Sequence, residues 1–566
     1  MRATRAAMNR RVGVWALLAL SWTALDVAPA PGLRARNGMV AAEHQLASEA
    51  GVEILRRGGN AVDAAIATAL AVGVVNPSSC GIGGGGFMVI FERASGRVFA
   101  LDYREAAPQR AHRDLFVRDG SVAPGLSTEG GLAVAVPGEM AGVAEALRRF
   151  GTMPLDAVAA PAIRLARDGF PVGAHLAGAI DGQREAIARN SELAKLLSRP
   201  DGTPLSEGEI LRQSDLARTL EHLARSGADA FYRGPTAAAI ADAVAAGGGI
   251  LQVGDLEGYR AFWREPVRGR WAGHDVYGMP PPSSGGGVLV AVLNSIGADD
   301  LRALGHNSPT YVHLLAESLK FAFADRAASY GDPAFFPVPL DRILAPERGR
   351  AIRRRVRAYE TRDPAFYGRS HTADDAGTSH LSVVDGAGNA VALTTSVNTA
   401  FGSKLVVPGT GIILNNTMDD FSAQPGVPNT FGLVGSEANA IAGGKRPLSS
   451  MSPTVVVRDG EAVAAAGGSG GPLIITATLQ VLLNALVFDM DASQAVAAPR
   501  LHHQWMPPVL FLEEGMRDID AVPLRRIGHA VRSTAGGAAV QMIRRDADGW
   551  LDGAADPRKG GRAAGW

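Results

Sequence analysis

The chain has 566 residues, of which 46% are hydrophobic, so it can bury a large core, and its length suggests two or more domain-sized units. Its 56 basic and 56 acidic residues balance, which gives no support for a nucleic-acid partner, because phosphates attract a basic surface. The single cysteine, Cys80, excludes an intramolecular disulfide framework and a cysteine-based zinc site, and the 12 histidines lack a metal-binding spacing, so we expect no metal.

The first 30 residues have the pattern of an export signal. Four arginines within the first 11 residues precede the apolar run 12–25, which has the length of a signal-peptide core and is short for a membrane span. The tripeptide at 28–30 resembles a cleavage site, although the proline that follows it would hinder cleavage there. We therefore expect a periplasmic or secreted protein, and the alternative is an uncleaved N-terminal anchor.

Two helices are predicted at the start of the folded part of the chain. Apolar residues recur at i, i+4 spacing between Ala41 and Arg57, which predicts an amphipathic helix with one buried stripe. A pair of glycines ends this helix. Asn60 is then expected to cap a second, alanine-rich helix that runs to about Val75.

A glycine-rich run from Gly81 to Gly86 precedes a predicted strand from Phe87 to Glu92. A phosphate-binding loop follows a strand and opens a helix, whereas here the order is reversed, so we exclude nucleotide binding. Close packing of backbone against backbone explains the run better, because glycine has no Cβ.

The middle of the chain is predicted to be mainly helical, over residues 139–260. The arginine-rich stretch 348–357 is interpreted as a solvated helix face, not as a recognition patch. Residues 363–377 combine proline, glycine, serine, threonine and aspartate without apolar periodicity, which is typical of an exposed linker.

Beyond the linker the pattern changes to strands, followed by two late helices. The predicted strands are 380–385, 390–396, 454–458 and 461–466, and the predicted helices are 474–488 and 492–498. Helices that flank sheets in this way predict a layered α/β sandwich.

Thr378 lies directly between the linker and the first of these strands. A threonine hydroxyl is a poor nucleophile and needs an adjacent base. If the Gly377–Thr378 bond is cut, Thr378 gains an α-amino group whose ordinary pKa of about 7.7–8.0 suits a general base near neutral pH. Gly377 has no side chain and allows a strained geometry that exposes its carbonyl to attack. By itself, however, this motif does not identify a nucleophile, because Gly-Thr-Ser is common in ordinary loops.

The segments on both sides of Thr378 resemble the two subunits of γ-glutamyltransferases, in order and over nearly the whole chain after the signal. The matching segments of the small subunit are 377–385, 394–398, 401–402, 411–422, 445–453, 467–471, 499–504 and 556–561, and those of the large subunit are 43–89, 102–108 and 279–286. The resemblance implies an N-terminal-nucleophile hydrolase fold, a four-layer α-β-β-α sandwich. It also implies a self-cleaved precursor with a large subunit, 31–377, and a small catalytic subunit, 378–566.

The resemblance assigns roles to individual residues. It implies that Thr378 is the nucleophile for both autocleavage and catalysis, and that Ser396 assists it where the family usually has a threonine. The backbone N–H groups of Gly470 and Gly471 would form the oxyanion hole. The groups that would hold the head of the donor are Arg104, Ser449 and Ser450 for the α-carboxylate, Asp420 for the α-amino group, and Asn398 as a further polar contact.

Two positions depart from the family pattern. Thr417 replaces the usual Gln or Glu that contacts the α-amino group, so its shorter side chain leaves more of that contact to Asp420 or to water. Phe431 occupies the aromatic lid position that tyrosine usually fills, and it cannot make the hydrogen bond of a tyrosine hydroxyl. The segment 425–445 is long enough to be the lid.

The resemblance implies a γ-glutamyl hydrolase and transferase that cleaves glutathione and other γ-glutamyl compounds and passes the acyl group to water, an amino acid or a peptide. No cofactor is implied, and the two fragments would form a heterodimer. One alternative is a cephalosporin acylase, because a glutaryl group resembles a glutamyl group without its amine. Another is a non-catalytic envelope protein that keeps the fold for binding.

Overall fold

The described part of the chain forms two seven-stranded antiparallel sheets. The structure is a computed structural model that describes residues 32–368 and 378–566, apart from residues 425, 426, 428, 434 and 517. The predicted signal, Gly377 and most of the predicted linker lie outside the described residues. The strands of the two sheets are, in chain order, β1 (Leu33–Ala35), β2 (Gly38–Ala42), β3 (Gly85–Glu92), β4 (Arg97–Tyr103), β5 (Phe262–Arg264), β6 (Val267–Trp271), β7 (His274–Gly278), β8 (Ser379–Asp385), β9 (Ala390–Ser396), β10 (Thr454–Arg458), β11 (Glu461–Ser469), β12 (Ala539–Arg545), β13 (Leu551–Ala555) and β14 (Arg562–Gly565).

Both sheets combine strands from before and after residue 378. The first sheet has the order β14-β2-β8-β9-β3-β4-β5, and the second has the order β1-β13-β12-β11-β10-β7-β6. Strand β8 pairs with β2 on one side and with β9 on the other. The chain therefore does not divide at residue 378 into separate domains, and the predicted fragments 31–377 and 378–566 share both sheets.

Alternation of side chains along the strands builds two kinds of core. In β9, Val391 and Leu393 point to the helices outside the first sheet, whereas Ala390 and Ala392 point to the second sheet. Small alanines facing inward allow the two sheets to pack closely. The result is one apolar layer between the sheets and one beneath each helical layer.

Helices cover the outer face of each sheet. Those on the first sheet are α1 (Gln45–Arg56), α2 (Ala61–Val75), α3 (Glu139–Phe150), α4 (Leu155–Asp168), α5 (Ala174–Gly182), α6 (Arg184–Arg189), α7 (Ser191–Leu197), α8 (Ser214–Ser226), α9 (Gly234–Ala246) and α10 (Val253–Gly258). Those on the second sheet are α11 (Gly285–Leu293), α12 (Ala298–Leu304), α13 (Pro309–Ser329), α14 (Leu340–Ile343), α15 (Pro346–Arg355), α16 (Leu473–Val487), α17 (Ala492–Ala497) and α18 (Asp518–Arg526). This α-β-β-α order confirms the predicted fold class.

Short strands lie outside the two main sheets. They are the pairs Val117–Arg118 with Ser121–Val122, Phe170–Pro171 with Ile210–Leu211 and Val406–Val407 with Ile412–Ile413, and the trio Leu501–His502, Val509–Glu513 and Ala530–Thr534. Among the helices that the structure describes, none combines the length and the hydropathy that crossing a membrane requires.

Most predicted elements are confirmed, and the start of the first helix is the boundary that shifts most. The first helix begins at Gln45, not at Ala41, because residues 38–42 form β2 and pair with β8. The second helix has the predicted cap: the Asn60 side chain accepts hydrogen bonds from the backbone of residues 62 and 63, and Asp63 accepts one from the Asn60 N–H. The arginine-rich stretch forms α15, and its arginines at 350, 353 and 354 are exposed as predicted.

The glycine run packs backbone against backbone, as the sequence predicted. A Cβ on Gly83 would lie 2.0 Å from the carbonyl oxygen of Ile413, and one on Gly86 would lie 2.1 Å from that of Thr394. A Cβ on Gly84 would lie 2.0 Å from the carbonyl oxygen of Ser396, at the end of β9. No side chain fits at these distances, so glycine is required for this approach.

We expect Gly84→Ala to lower the free energy of unfolding by about 1–3 kcal/mol, because the added methyl group must push the end of β9 away. Denaturant unfolding measures this loss. Gly178→Ala is the matched control, since a Cβ there meets nothing within 4 Å and Gly178 lies inside α5, where alanine is the better helix former. Equal stability of the two variants would contradict the packing argument.

Candidate active site

Thr378 lies directly before β8 and faces a second hydroxyl across the hairpin. It is 6% exposed, and its Oγ1 lies 3.3 Å from the Oγ of Ser396, the last residue of β9. The backbone N–H of Asn398 donates to the Ser396 Oγ at 2.7 Å. This N–H fixes the Ser396 oxygen beside Thr378. The hairpin therefore brings together the two hydroxyl groups that the family resemblance had implied to act together.

A half-buried lysine, Lys559, holds the main chain of Thr378. The Nζ of Lys559 donates to the Thr378 carbonyl oxygen at 2.5 Å and to the Ser469 Oγ at 3.2 Å, and it forms an ion pair of 2.6 Å with Glu43. Glu43 also accepts a hydrogen bond from the His380 N–H at 3.2 Å. Lys559 thus ties the last turn before β14, the end of β2 and the start of β8 together at the candidate nucleophile.

The two glycines predicted to form the oxyanion hole lie between β11 and α16. Both have positive φ angles, 121° at Gly470 and 49° at Gly471, in the region that favours glycine. A Cβ on Gly470 would also lie 2.3 Å from the carbonyl oxygen of Gly537. Gly470 lines a wide cavity beside Thr378 and Gly471 lines a narrow one, so the pair marks the point where the two cavities meet. The N-terminus of α16 adds a partial positive charge there.

Arg104 and Asp420 form a buried ion pair in the narrow cavity. The Arg104 side chain is 1% exposed, and its Nη1 lies 3.4 Å from Glu105 while its Nε donates to the Pro447 carbonyl at 3.3 Å. Burial raises the pKa of Asp420, and the charge of Arg104 opposes that shift. The cavity has a volume of about 20 Å³, which is room for about one water. A larger ligand must therefore take the places that the two side chains now fill for each other.

The structure brings the other predicted donor contacts to the same cavity. Ser449, Ser450 and Asn398 line it together with Thr378 and Ser396. The Asn398 side chain donates to the Asn416 carbonyl at 3.2 Å, and its φ of 83° is unusual for a residue that is not glycine.

Thr417 is the predicted substrate contact that the structure places elsewhere. Its side chain is fully buried, and it is not among the described residues that line the narrow cavity. The Thr417 Oγ1 donates to Glu105 at 2.8 Å, and Glu105 in turn contacts Arg104. The Thr417 side chain, which is shorter than the usual Gln or Glu, therefore points to the buried Glu105 carboxylate. Its effect on a ligand is indirect.

Phe431 separates the narrow cavity from the wide one. Its ring is 4% exposed, and it lines both cavities as a lid residue would. Residues 425, 426, 428 and 434 of the predicted lid lie outside the described residues. The wide cavity has a volume of about 690 Å³.

One cluster outside this site combines metal-ligating side chains. Ligand atoms of His313, Glu317 and His529 all lie within 4.8 Å of one another. Their hydrogen-bond partners are already present: His313 contacts His529 at 2.8 Å and the Arg357 carbonyl at 2.6 Å, and Glu317 accepts from Lys320 at 2.7 Å. The Lys320 ammonium already supplies the cation that faces Glu317, so this geometry gives no reason to place a metal there.

Sequence reasoning missed three charged residues of the site. Glu105 and Lys559 lie inside segments that carry the family resemblance, so those segments contained a signal for them. Arg326 lies on α13, where no motif marked it. Its Nε donates to the Ser284 Oγ at 2.9 Å and its Nη2 to the Ser450 Oγ at 3.2 Å.

Comparison with known proteins agrees with this geometry. The family model described as Gamma-glutamyltranspeptidase matches residues 47–566. A glutathione hydrolase proenzyme of Escherichia coli (strain K12) is 41% identical over 565 residues, which cover 97% of each chain. An acylase ACY 1 proenzyme of Pseudomonas sp. (strain V22) is 39% identical over 536 residues, covering 93% of this chain and 92% of the acylase.

A solved structure supports the same fold. The crystal structure of a cephalosporin acylase from Bacillus halodurans is similar to this structure with a TM-score of 0.81 and 30% sequence identity. The similarity covers 95% of this chain and 97% of that one.

Proposed function

The chain belongs to the gamma-glutamyltranspeptidase family, and we propose that Thr378 performs its γ-glutamyl hydrolase and transferase chemistry. Membership of this enzyme family sets aside the non-catalytic binding protein as an alternative. The observation that carries the assignment is the convergence at Thr378 of a second hydroxyl, the glycine pair and the Arg104–Asp420 ion pair. Glutathione and related γ-glutamyl compounds are the donors, and water, amino acids or peptides are the acceptors.

Catalysis begins when the Thr378 Oγ attacks the γ-carbonyl carbon of the donor. The proton of the hydroxyl passes to the α-amino group that cleavage at Gly377–Thr378 gives to Thr378. The backbone N–H groups of Gly470 and Gly471 stabilise the negative charge on the carbonyl oxygen. The C–N bond breaks, and the departing amine takes the proton. The γ-glutamyl ester of Thr378 that remains is then attacked by water or by a second amine.

Charge complementarity explains why a glutamyl head fits the narrow cavity. Its α-carboxylate takes the place of Asp420 beside Arg104, and its α-ammonium takes the place of Arg104 beside Asp420. Two buried charges thus exchange one partner for another, and neither is left unpaired. Ser449 and Ser450 add hydroxyl groups on the carboxylate side.

The acylase remains the second candidate, because the relatives include an acylase proenzyme and a cephalosporin acylase. A glutaryl group has a carboxylate for Arg104 but no ammonium for Asp420. Binding it would leave the Asp420 carboxylate without the partner that it has now, in a site where burial already raises its pKa. An unpaired buried charge costs about 3–5 kcal/mol, so this site favours γ-glutamyl donors.

We propose that the mature protein is a heterodimer of residues 31–377 and 378–566, exported to the periplasm or secreted. The shared sheets support the first part, because strands on both sides of residue 378 pair with each other and would stay together after cleavage. The export pattern of the first 30 residues supports the second part.

Intact-mass analysis of purified protein tests the cleavage. We expect two fragments from the wild type, with the smaller one beginning at Thr378, and a single inactive chain from Thr378→Ala. Ser379→Ala is the matched control, since it removes the next hydroxyl along the chain, and it should still give two fragments. A cleaved Thr378→Ala chain, or a new N-terminus at another residue, would refute the assigned nucleophile.

Turnover of γ-glutamyl and glutaryl anilides tests the role of Asp420. We expect Asp420→Asn to lower kcat/KM for the γ-glutamyl anilide by about 10²–10³-fold, because the donor ammonium loses its counter-charge. The glutaryl anilide should lose far less, so the ratio of the two kcat/KM values should fall.

Asp419→Asn is the control for that experiment. Its carboxylate accepts hydrogen bonds from Ser127 and from the backbone of Thr430, so the ratio between the two anilides should stay as in the wild type. A wild-type preference for the glutaryl anilide would instead identify the enzyme as an acylase.

A further inference from the structure

We propose that the wide cavity beside Thr378 binds the leaving and accepting amines, and that it selects amines with uncharged, apolar side chains. The inference rests on the proposed acyl-transfer function and adds the chemical class of the acceptor. The cavity volume of about 690 Å³ lies in the range of small-molecule sites and far exceeds what water or ammonia needs.

Apolar side chains form much of the wall of the cavity. Leu473 at the start of α16, Phe511 on the short strand Val509–Glu513 and Ala179 on α5 face it from three different elements. Two prolines, Pro472 and Pro507, extend the same surface. An aromatic or branched aliphatic side chain would bury apolar area here and gain the corresponding transfer free energy.

The charges near the cavity are already balanced. No Asp or Glu side chain is among the described residues that line it. Of the two cations in the wall, Lys559 pairs with Glu43 at 2.6 Å, and Arg558 pairs with Glu513 at 2.5 Å and with Asp556 at 3.0 Å. These carboxylates stand behind the wall and are occupied, so a cationic acceptor side chain would find no counter-charge.

The two histidines in the wall do not change this balance. Burial lowers the pKa of His502 to about 4, whereas His175 is an exposed residue. An imidazole is either neutral or cationic near pH 7, so neither histidine offers a negative charge. A lysine-like or polyamine acceptor would lose its hydration without compensation, whereas a phenylalanine-like acceptor would not.

The transfer step needs only the incoming amine, the ester on Thr378 and the α-amino group of Thr378. The neutral amine nitrogen attacks the ester carbonyl carbon, a C–N bond forms, and the bond from that carbon to the Thr378 Oγ breaks. The amine gives up one proton and the Thr378 oxygen takes one back, through the α-amino group of Thr378.

Competition between two acceptors tests the proposal. L-Glutamine is the donor, because its leaving group is ammonia and leaves the cavity open, and L-phenylalaninamide and L-lysinamide compete at equal concentration. Mass spectrometry measures both γ-glutamyl products and the glutamate formed by hydrolysis. We expect at least a tenfold preference for the phenylalanine product in the wild type.

Ala179→Asp and Ala179→Asn provide a matched pair, because Ala179 is partly exposed and the two new side chains differ only in charge. The aspartate should raise the lysine-to-phenylalanine product ratio about fivefold, and the asparagine should leave it unchanged. Equal use of the two acceptors, or identical ratios in both variants, would overturn the inference while glutamate formation upheld the proposed function. Failure to convert glutamine to any product would overturn both.

Beside the narrow cavity, where the γ-glutamyl donor is proposed to bind, we infer that Arg326 is a positioning residue. Arg326 lies outside the described lining of the narrow cavity, but its Nη2 donates to the Oγ of Ser450, which lines it. A guanidinium can only donate, so the Ser450 oxygen accepts and its own proton must point elsewhere. Arg326 thereby turns the Ser450 hydroxyl into a donor for the α-carboxylate of the γ-glutamyl group.

The same arginine fixes the neighbouring serine segment. Its Nε donates to the Ser284 Oγ at 2.9 Å, and the Ser284 hydroxyl then donates to the Ser449 carbonyl at 2.8 Å. One side chain of α13 therefore orders both ends of the Ser449–Ser450 pair. A rival explanation is that Arg326 acts only as a counter-charge to Asp420, whose charge it also faces.

A double-mutant cycle of Arg326→Gln and Ser450→Ala separates the two explanations. We expect Arg326→Gln to raise KM for a γ-glutamyl anilide about tenfold with kcat changed less than about twofold, and Arg326→Lys to recover part of the loss. In the Ser450→Ala background, Arg326→Gln should have no further effect on KM. A full tenfold effect in that background, or an equal fall in kcat, would overturn the positioning role.

Discussion

The position of β8 between β2 and β9 is the constraint on which the whole site depends. A strand that is hydrogen-bonded on both edges cannot shift its register without breaking two ladders, so the residue directly before it has a fixed place. That residue is Thr378, and the register of the hairpin sets Ser396 opposite it. Because β2 precedes residue 378 and β9 follows it, the sheet itself would hold the two fragments together after cleavage.

The second constraint on the site is that its buried charges must stay paired. The narrow cavity contains an arginine and an aspartate that neutralise each other, and a further carboxylate, Glu105, stands behind the arginine. Such groups cost free energy to bury and are stable only while they are paired. A zwitterionic ligand head can replace both partners at once, whereas a simple carboxylate can replace only one. The proposed recognition of a free amino acid head therefore rests on the need to keep every buried charge paired.

The two cavities that meet at Thr378 differ in both size and chemistry. The narrow one is charged and has room for about one water, and the wide one is largely apolar and has room for a whole amino acid or dipeptide. Gly470 and Gly471 stand between them, and Phe431 lines both. In the proposed function, the acyl group takes the narrow, charged cavity and the amine takes the wide, largely apolar one. An acyltransferase needs that division, since one acyl group must meet different nucleophiles in turn.

The sequence by itself determined the class of fold, the glycine run, the capped helix after Asn60 and the β8–β9 hairpin, and it pointed to Thr378 as the candidate nucleophile. These features have local signals: apolar periodicity, capping residues, turn residues and ordered motifs. It could not determine that residues 38–42 form a strand, because only pairing with β8 and β14, both more than 300 residues away along the chain, makes them one. Nor could it show that Thr417 contacts Glu105, or that Arg326 belongs to the site. Those contacts join elements far apart in the chain, and the direction of a buried side chain depends on neighbours that only the tertiary structure supplies.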